Sequence, residues 1–348
     1  MAPGLQRSCV VMKISIVGLL LATSIAHANV ALLLEEPYGH FGGMNPTGHA
    51  AIYLSGVCAG SLTHLRPCHA GEQGVVISRY HRVGGLDWIA IPLIPYLYAV
   101  DRAEDVPPDA TPEVVAALRD DYRRKYLEAV APDEPDGSAP TGDWTQLAGE
   151  SYDRTIFAFE VKTTASQDAR FVRTFNARRN TADFNLLFHN CADFARQAID
   201  FYYPRAVHRS LIADVGIMTP KRAAECLVHY ARKHPGVDLA GFVIPQVPGT
   251  LPRSSPVRGV LESLLKSKRY IVPLAPLAIL HPYFGGSLAF AWVEDGHFNP
   301  RNFANAEDPA TEPDLIAAQL EANHVAPAKG AHGQTLKSTL AGKPAIVN

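Results

Sequence analysis

An α+β or loop-rich α/β fold is what this 348-residue sequence predicts, on three observations. Hydrophobic residues make up 47% of the chain against 19% charged, enough apolar material for a sizeable core and too much for global disorder. Gly and Pro number 26 and 27, too many punctuating residues for a helical bundle. Short apolar runs of strand type stand beside segments with helical spacing. The length suggests two units, or one large domain with extensions. A formal charge of −2 and the lack of any Lys/Arg run give no footprint for a nucleic-acid partner.

The N-terminal segment reads as an address. Met12 to Ala28, MKISIVGLLLATSIAHA, has a Lys, a short apolar run and a small-x-small end, the layout of a signal peptide cleaved after Ala28. The expected location is therefore exported, periplasmic or otherwise extracytoplasmic. In an oxidising compartment Cys58 and Cys68 are expected to form a disulfide. A zinc site with His64 and His69 is the rival, but C-x5-H-x3-C-H is not a recognised ligand spacing. Cys226 sits on the apolar stripe of a helix opened by Thr219 and Pro220 and reads as a small buried hydrophobe.

Along the chain, residues 30–36, 48–55, 74–81 and 86–93 read as strands. Thr111-Pro112-Glu113 opens a helix running to about Val130. Residues 131–148 form an exposed connection, 155–162 alternate like a strand, 166–178 suit a helix, and 184–188 (FNLLF) read as a short strand.

His189-Asn190-Cys191 follows that apolar run. Asn190 is a strong N-cap, which puts Cys191 at the first position of a helix continuing to Tyr203 and stopped by Pro204. A thiol there feels the positive end of the helix dipole, which favours the thiolate. A buried Cys behind an ordinary cap is the bland alternative. His49 opens the strand GHAAIYL, where alternation puts His49, Ala51 and Tyr53 on one face.

The pair G-H-A-A-I-Y-L and H-N-C-A-D-F-A resembles the circularly permuted branch of the papain-like, NlpC-type cysteine hydrolases, to which the lecithin–retinol acyltransferase-like enzymes belong. The resemblance covers roughly residues 30–205. It implies an antiparallel sheet packed on a Cys-bearing helix, with Cys191 as nucleophile and His49 as base, supported by Ile52-Tyr53, Asn190 and Phe194. The family adds a polar residue on the next strand to orient the imidazole. Here GVVISRYH offers Ser78, Tyr80 or His81, none matching the family pattern cleanly, and Ser78 and His81 are the candidates.

The expected layout is a leader, 1–28, then a permuted papain-like domain, 29–205, with an insertion around 95–150. A Pro-rich, partly apolar extension follows at 206–300, and a largely disordered tail at 301–348. Ser255-Pro256 is expected to cap a helix, VRGVLESLLKSKR. Residues 270–293 carry no formal charge, and two readings of them stand: a membrane-embedded segment, or a buried apolar wall. The functional expectation is an exported thiol hydrolase or acyl transferase, acting through Cys191 and His49 on a peptide, cell-wall or lipid substrate. No metal or cofactor is expected, because the 14 His are scattered without an H-E-x-x-H pattern. A non-catalytic membrane- or envelope-associated scaffold is the alternative.

Overall fold

The structure, a computed structural model, describes residues 28–39, 46–266 apart from 82 and 182, 272, 276, 278–295 and 298–303. Residues 1–27, nearly all of the leader expected at 1–28, and those from 304 onward, most of the tail expected at 301–348, lie outside them.

An antiparallel six-stranded sheet organises the fold, so the class is α+β. Its strands run β6-β5-β2-β1-β7-β8: β1 Ala28–Glu35, β2 His49–Leu54, β5 Val75–Arg79, β6 Trp88–Pro92, β7 Ile156–Thr163 and β8 Leu239–Ile244. A separate hairpin, β3 Val57–Ser61 with β4 His64–Pro67, lies between the strands expected at 48–55 and 74–81. The Cys58–Cys68 disulfide closes it. Burial is continuous along β1 because helices cover both faces of the sheet. Val30, Leu32 and Leu34 pack with Ala50 and Ile52 against α5 Cys191–Tyr202 and α6 Pro220–Lys233. Ala31, Leu33, Ala51 and Tyr53 pack on the opposite face with α1 Leu93–Tyr98 and α2 Pro112–Tyr122. Most of the expected insertion thus forms the second helical layer, completed by α3 Glu150–Asp153.

The remaining helices are α4 Ala165–Asn176, α7 Val260–Lys266 and α8 Pro282–Asp295. The Thr219 side chain caps α6 and Pro220 fills its first position, as the sequence predicts. Residues 206–244 share the sheet with the N-terminal segment: α6 packs on β1 and β7, and β8 pairs with β7. Residues 184–188 are a turn, not a strand, because Asn185 Oδ1 accepts the Leu187 and Phe188 amides and Asn185 bridges to His189. The helix expected from Val257 begins at Val260. The Ser255 and Arg258 amides are bonded to Pro37 and Pro46 instead, and Glu262 accepts the Gly259 amide. Of the run 270–293, α8 covers the C-terminal part, and among the described residues no helix is long and apolar enough to cross a membrane.

One buried charge gives the fold a pH dependence. Burial raises the Glu160 carboxyl to about 7 from the usual 4.5, with Lys162 opposing. A carboxyl raised in the folded state contributes fully below its unfolded value, and that contribution is lost as pH rises through the folded value. Glu160→Gln is therefore expected to match the parent near pH 4 and exceed it at pH 8 by up to roughly 3 kcal/mol in urea unfolding. Equal stability at both pH values would contradict this.

Candidate active site

Cys191 and His49 line one cavity of about 780 Å³, reached from opposite layers of the fold. His49 is the first residue of β2, paired with Glu35 of β1. Gly48 before it has φ +74°, and a Cβ there would lie 2.1 Å from the Glu35 carbonyl oxygen. Only glycine lets the chain approach β1 this closely while entering β2 in a left-handed conformation. Strand alternation sends His49 to the face of Ala51 and Tyr53, away from the face that carries α5. Because both residues are the first of their elements, they meet the cavity at the end of the sheet.

The turn that presents Cys191 is firmly held. Asn190 Oδ1 accepts the Asp193 amide at 2.9 Å, and Asp193 Oδ2 accepts the Asn190 amide at 3.4 Å, a reciprocal capping box. Asn190 Nδ2 donates to the Leu186 and Met218 carbonyls, each at 3.0 Å, tying the cap to two cavity-lining loops. Arg209 holds Asp193 at 2.5 Å. Arg79, gripped by Asp87, donates to the Asn190 carbonyl at 3.5 Å and connects β5 to the same turn.

Ser78 fixes the imidazole. Its hydroxyl donates to the Ala50 carbonyl at 2.8 Å and lies 2.8 Å from His49 Nε2. With its proton committed to Ala50, the Ser78 oxygen accepts from His49, so the neutral ring carries its proton on Nε2 and its lone pair on Nδ1. Tyr80 stacks on the ring with centroids 5.4 Å apart. His81, the other candidate, is placed differently. It reaches Asp143 at 3.3 Å and packs edge-on against Phe184 at the cavity margin.

The electrostatics oppose a resting ion pair. Burial, with the nearby Arg154 guanidinium, lowers His49 to about 3. Burial also raises the Cys191 thiol to about 11, against hydrogen bonds from the Ala50 and Ala192 backbone. The thiolate that the helix dipole favours is opposed here, because desolvation outweighs the Ala50 and Ala192 hydrogen bonds. No hydrogen bond joins Cys191 to His49 among those of the described residues. The resting site holds a neutral thiol and a neutral imidazole.

A buried charge network lies beside His49. Arg154, 4% exposed, meets Glu35 at 3.1 Å and Glu150 at 2.7 Å, and Tyr38 stacks over it at 4.3 Å. Tyr96 donates its hydroxyl to Glu35. Both carboxyls are raised, by burial first and against the attraction of Arg154. The sequence reading missed these residues. A signal was present: Glu35 continues the inward alternation of Ala31 and Leu33, and Glu150 and Arg154 are spaced i, i+4.

Comparison with known families, curated proteins and solved structures returned no match for this chain.

Proposed function

We propose that the protein is an exported thiol hydrolase or acyl transferase with a permuted papain-like core, acting on an amide or ester bond. The observation that carries this reading is the shared cavity, which brings a capped helix-start cysteine and a serine-oriented histidine to one space from two elements. Its volume suits a peptide, cell-wall fragment or acyl lipid.

The chemistry starts from the un-ionised pair. As the Cys191 sulfur attacks the substrate carbonyl, its proton is relayed across the shared cavity to His49 Nδ1, the ring position that Ser78 leaves free. Amides at the start of α5 stabilise the oxyanion that develops. The imidazolium, disfavoured beside Arg154, returns its proton to the departing amine or alcohol, leaving a thioester on Cys191. Water, or another acceptor in the transferase case, attacks the thioester. It loses a proton as the thiol regains one.

A binding or scaffold protein is the second reading. The paired shifts favour it, since they hold both groups away from the ionised couple. Incubation with 4-nitrophenyl acyl esters, followed by peptide mapping by mass spectrometry, separates the two. An acyl thioester on Cys191, absent from Cys191→Ser and from the buried Cys226, is expected. Ester turnover or acyl adducts that persist in Cys191→Ser would count against a nucleophilic Cys191, and an intact fold giving no adduct would favour the scaffold.

A further inference from the structure

We propose that the apolar rim of the cavity mouth and the outer face of α8 together form a docking face for an anionic phospholipid bilayer, lying on the membrane rather than crossing it.

The rim comes from two loops. Leu186 and Leu187 line the cavity while 55% and 46% exposed, and Phe188 beside them is 58% exposed. The second loop runs into the cavity-lining residues Ile217 and Met218 and, just before them, shows Leu211 at 82%, Ile212 at 45% and Val215 at 60%. Val215 is held at φ +53°, a left-handed conformation that costs a β-branched residue of order 1–3 kcal/mol. The loop is nonetheless fixed from below. Asp214 accepts the Val260 amide at 2.9 Å, and the Ala213 carbonyl accepts the Leu261 amide at 3.2 Å. A strained loop, rigidly mounted so that its apolar side chains point to solvent, is hard to explain by packing alone.

The same mounting leads to α8. Val260 lines the cavity and begins α7, and α8 packs against α7. The buried Lys221–Glu262 pair at 2.6 Å fastens α7 to α6. The outer face of α8 presents Tyr283 at 92%, Phe290 at 54% and Val293 at 59% exposed. Ser287, a polar side chain on that face, turns its hydroxyl to the Tyr283 carbonyl. A surface helix in water would carry charge there.

Two features select a bilayer over a protein groove. Side chains 82% and 92% exposed are protruding tips, suited to insertion among acyl chains, whereas the core of a protein interface is a broad, tightly packed patch. The chain entering this region is basic as well. Arg253, Arg258, Lys266, Lys268 and Arg269 stand against Glu262 alone, a charge balance that suits anionic headgroups.

Hydrogen exchange of the full chain, with and without vesicles of phosphatidylcholine containing phosphatidylglycerol, tests the face locally. Vesicles are expected to slow exchange by about fivefold or more in peptides covering 209–217 and 282–293, with β1 and β2 unchanged. Leu211→Asp/Tyr283→Asp alters two exposed side chains and is expected to keep the parent's melting temperature while losing that protection. Cys191→Ser is expected to retain it, so a failure of the thiol reading would leave the docking result intact. Unchanged exchange in both segments with vesicles present would overturn the proposal. Equal protection in the double variant would do so too, as would protection without lipid from self-association through the face.

Discussion

Arg154→Met is expected to destabilise the fold by about 3–5 kcal/mol, the cost of leaving buried charge without its partner. The arginine is 4% exposed and stands between Glu35 and Glu150, both fully inaccessible. Without the guanidinium, both carboxyls lose the attraction that opposes their desolvation and are pushed further upward, Glu35 with only the Tyr96 hydroxyl donating to it. The methionine fills comparable volume, so the loss reads the charge and not a cavity. Urea unfolding at pH 7 measures it, and a loss below about 1 kcal/mol would show that the network is not the anchor described. The same variant removes the cation that depresses His49, so imidazole titration followed by NMR should move upward from about 3.

Much of this architecture was legible in the amino-acid order, for identifiable reasons. β1, β2, β5, β6 and β7 each announce themselves by apolar or alternating runs between turn residues, and all appear within a few residues of the expected bounds. Asn190 and Thr219 carry their helix starts because capping is a local interaction between a side chain and amides two or three residues on. What escaped was decided by a single local side chain or by contacts at a distance. FNLLF has strand composition, yet one side chain, Asn185, folds it into a turn. Residues 255–258 look helical but spend their amides on Pro37 and Pro46, more than 200 positions away in the chain. The helix start favours a thiolate at Cys191, with a buried thiol as the alternative, and desolvation, which no local pattern in the sequence reports, raises the thiol instead. His81 and Ser78 are three apart on one segment and equally polar, but Ser78 lies within β5, on the sheet face that carries His49, whereas His81 lies beyond the strand's end.

The proposed pairing of Cys191 with His49 across their shared cavity has a large expected effect. A positioned general base contributes about 10²–10⁴-fold to a reaction of this kind. Here it has added weight, since a thiol near 11 supplies almost no thiolate of its own at neutral pH. His49→Asn keeps a side chain of similar shape that can donate to Ser78 but has no basic nitrogen. The decisive measurement is the rate of Cys191 acylation by a 4-nitrophenyl ester at pH 7.5, in the parent and in His49→Asn. The account predicts a fall of at least about 100-fold with the melting temperature unchanged; equal rates in the two folded proteins would contradict it.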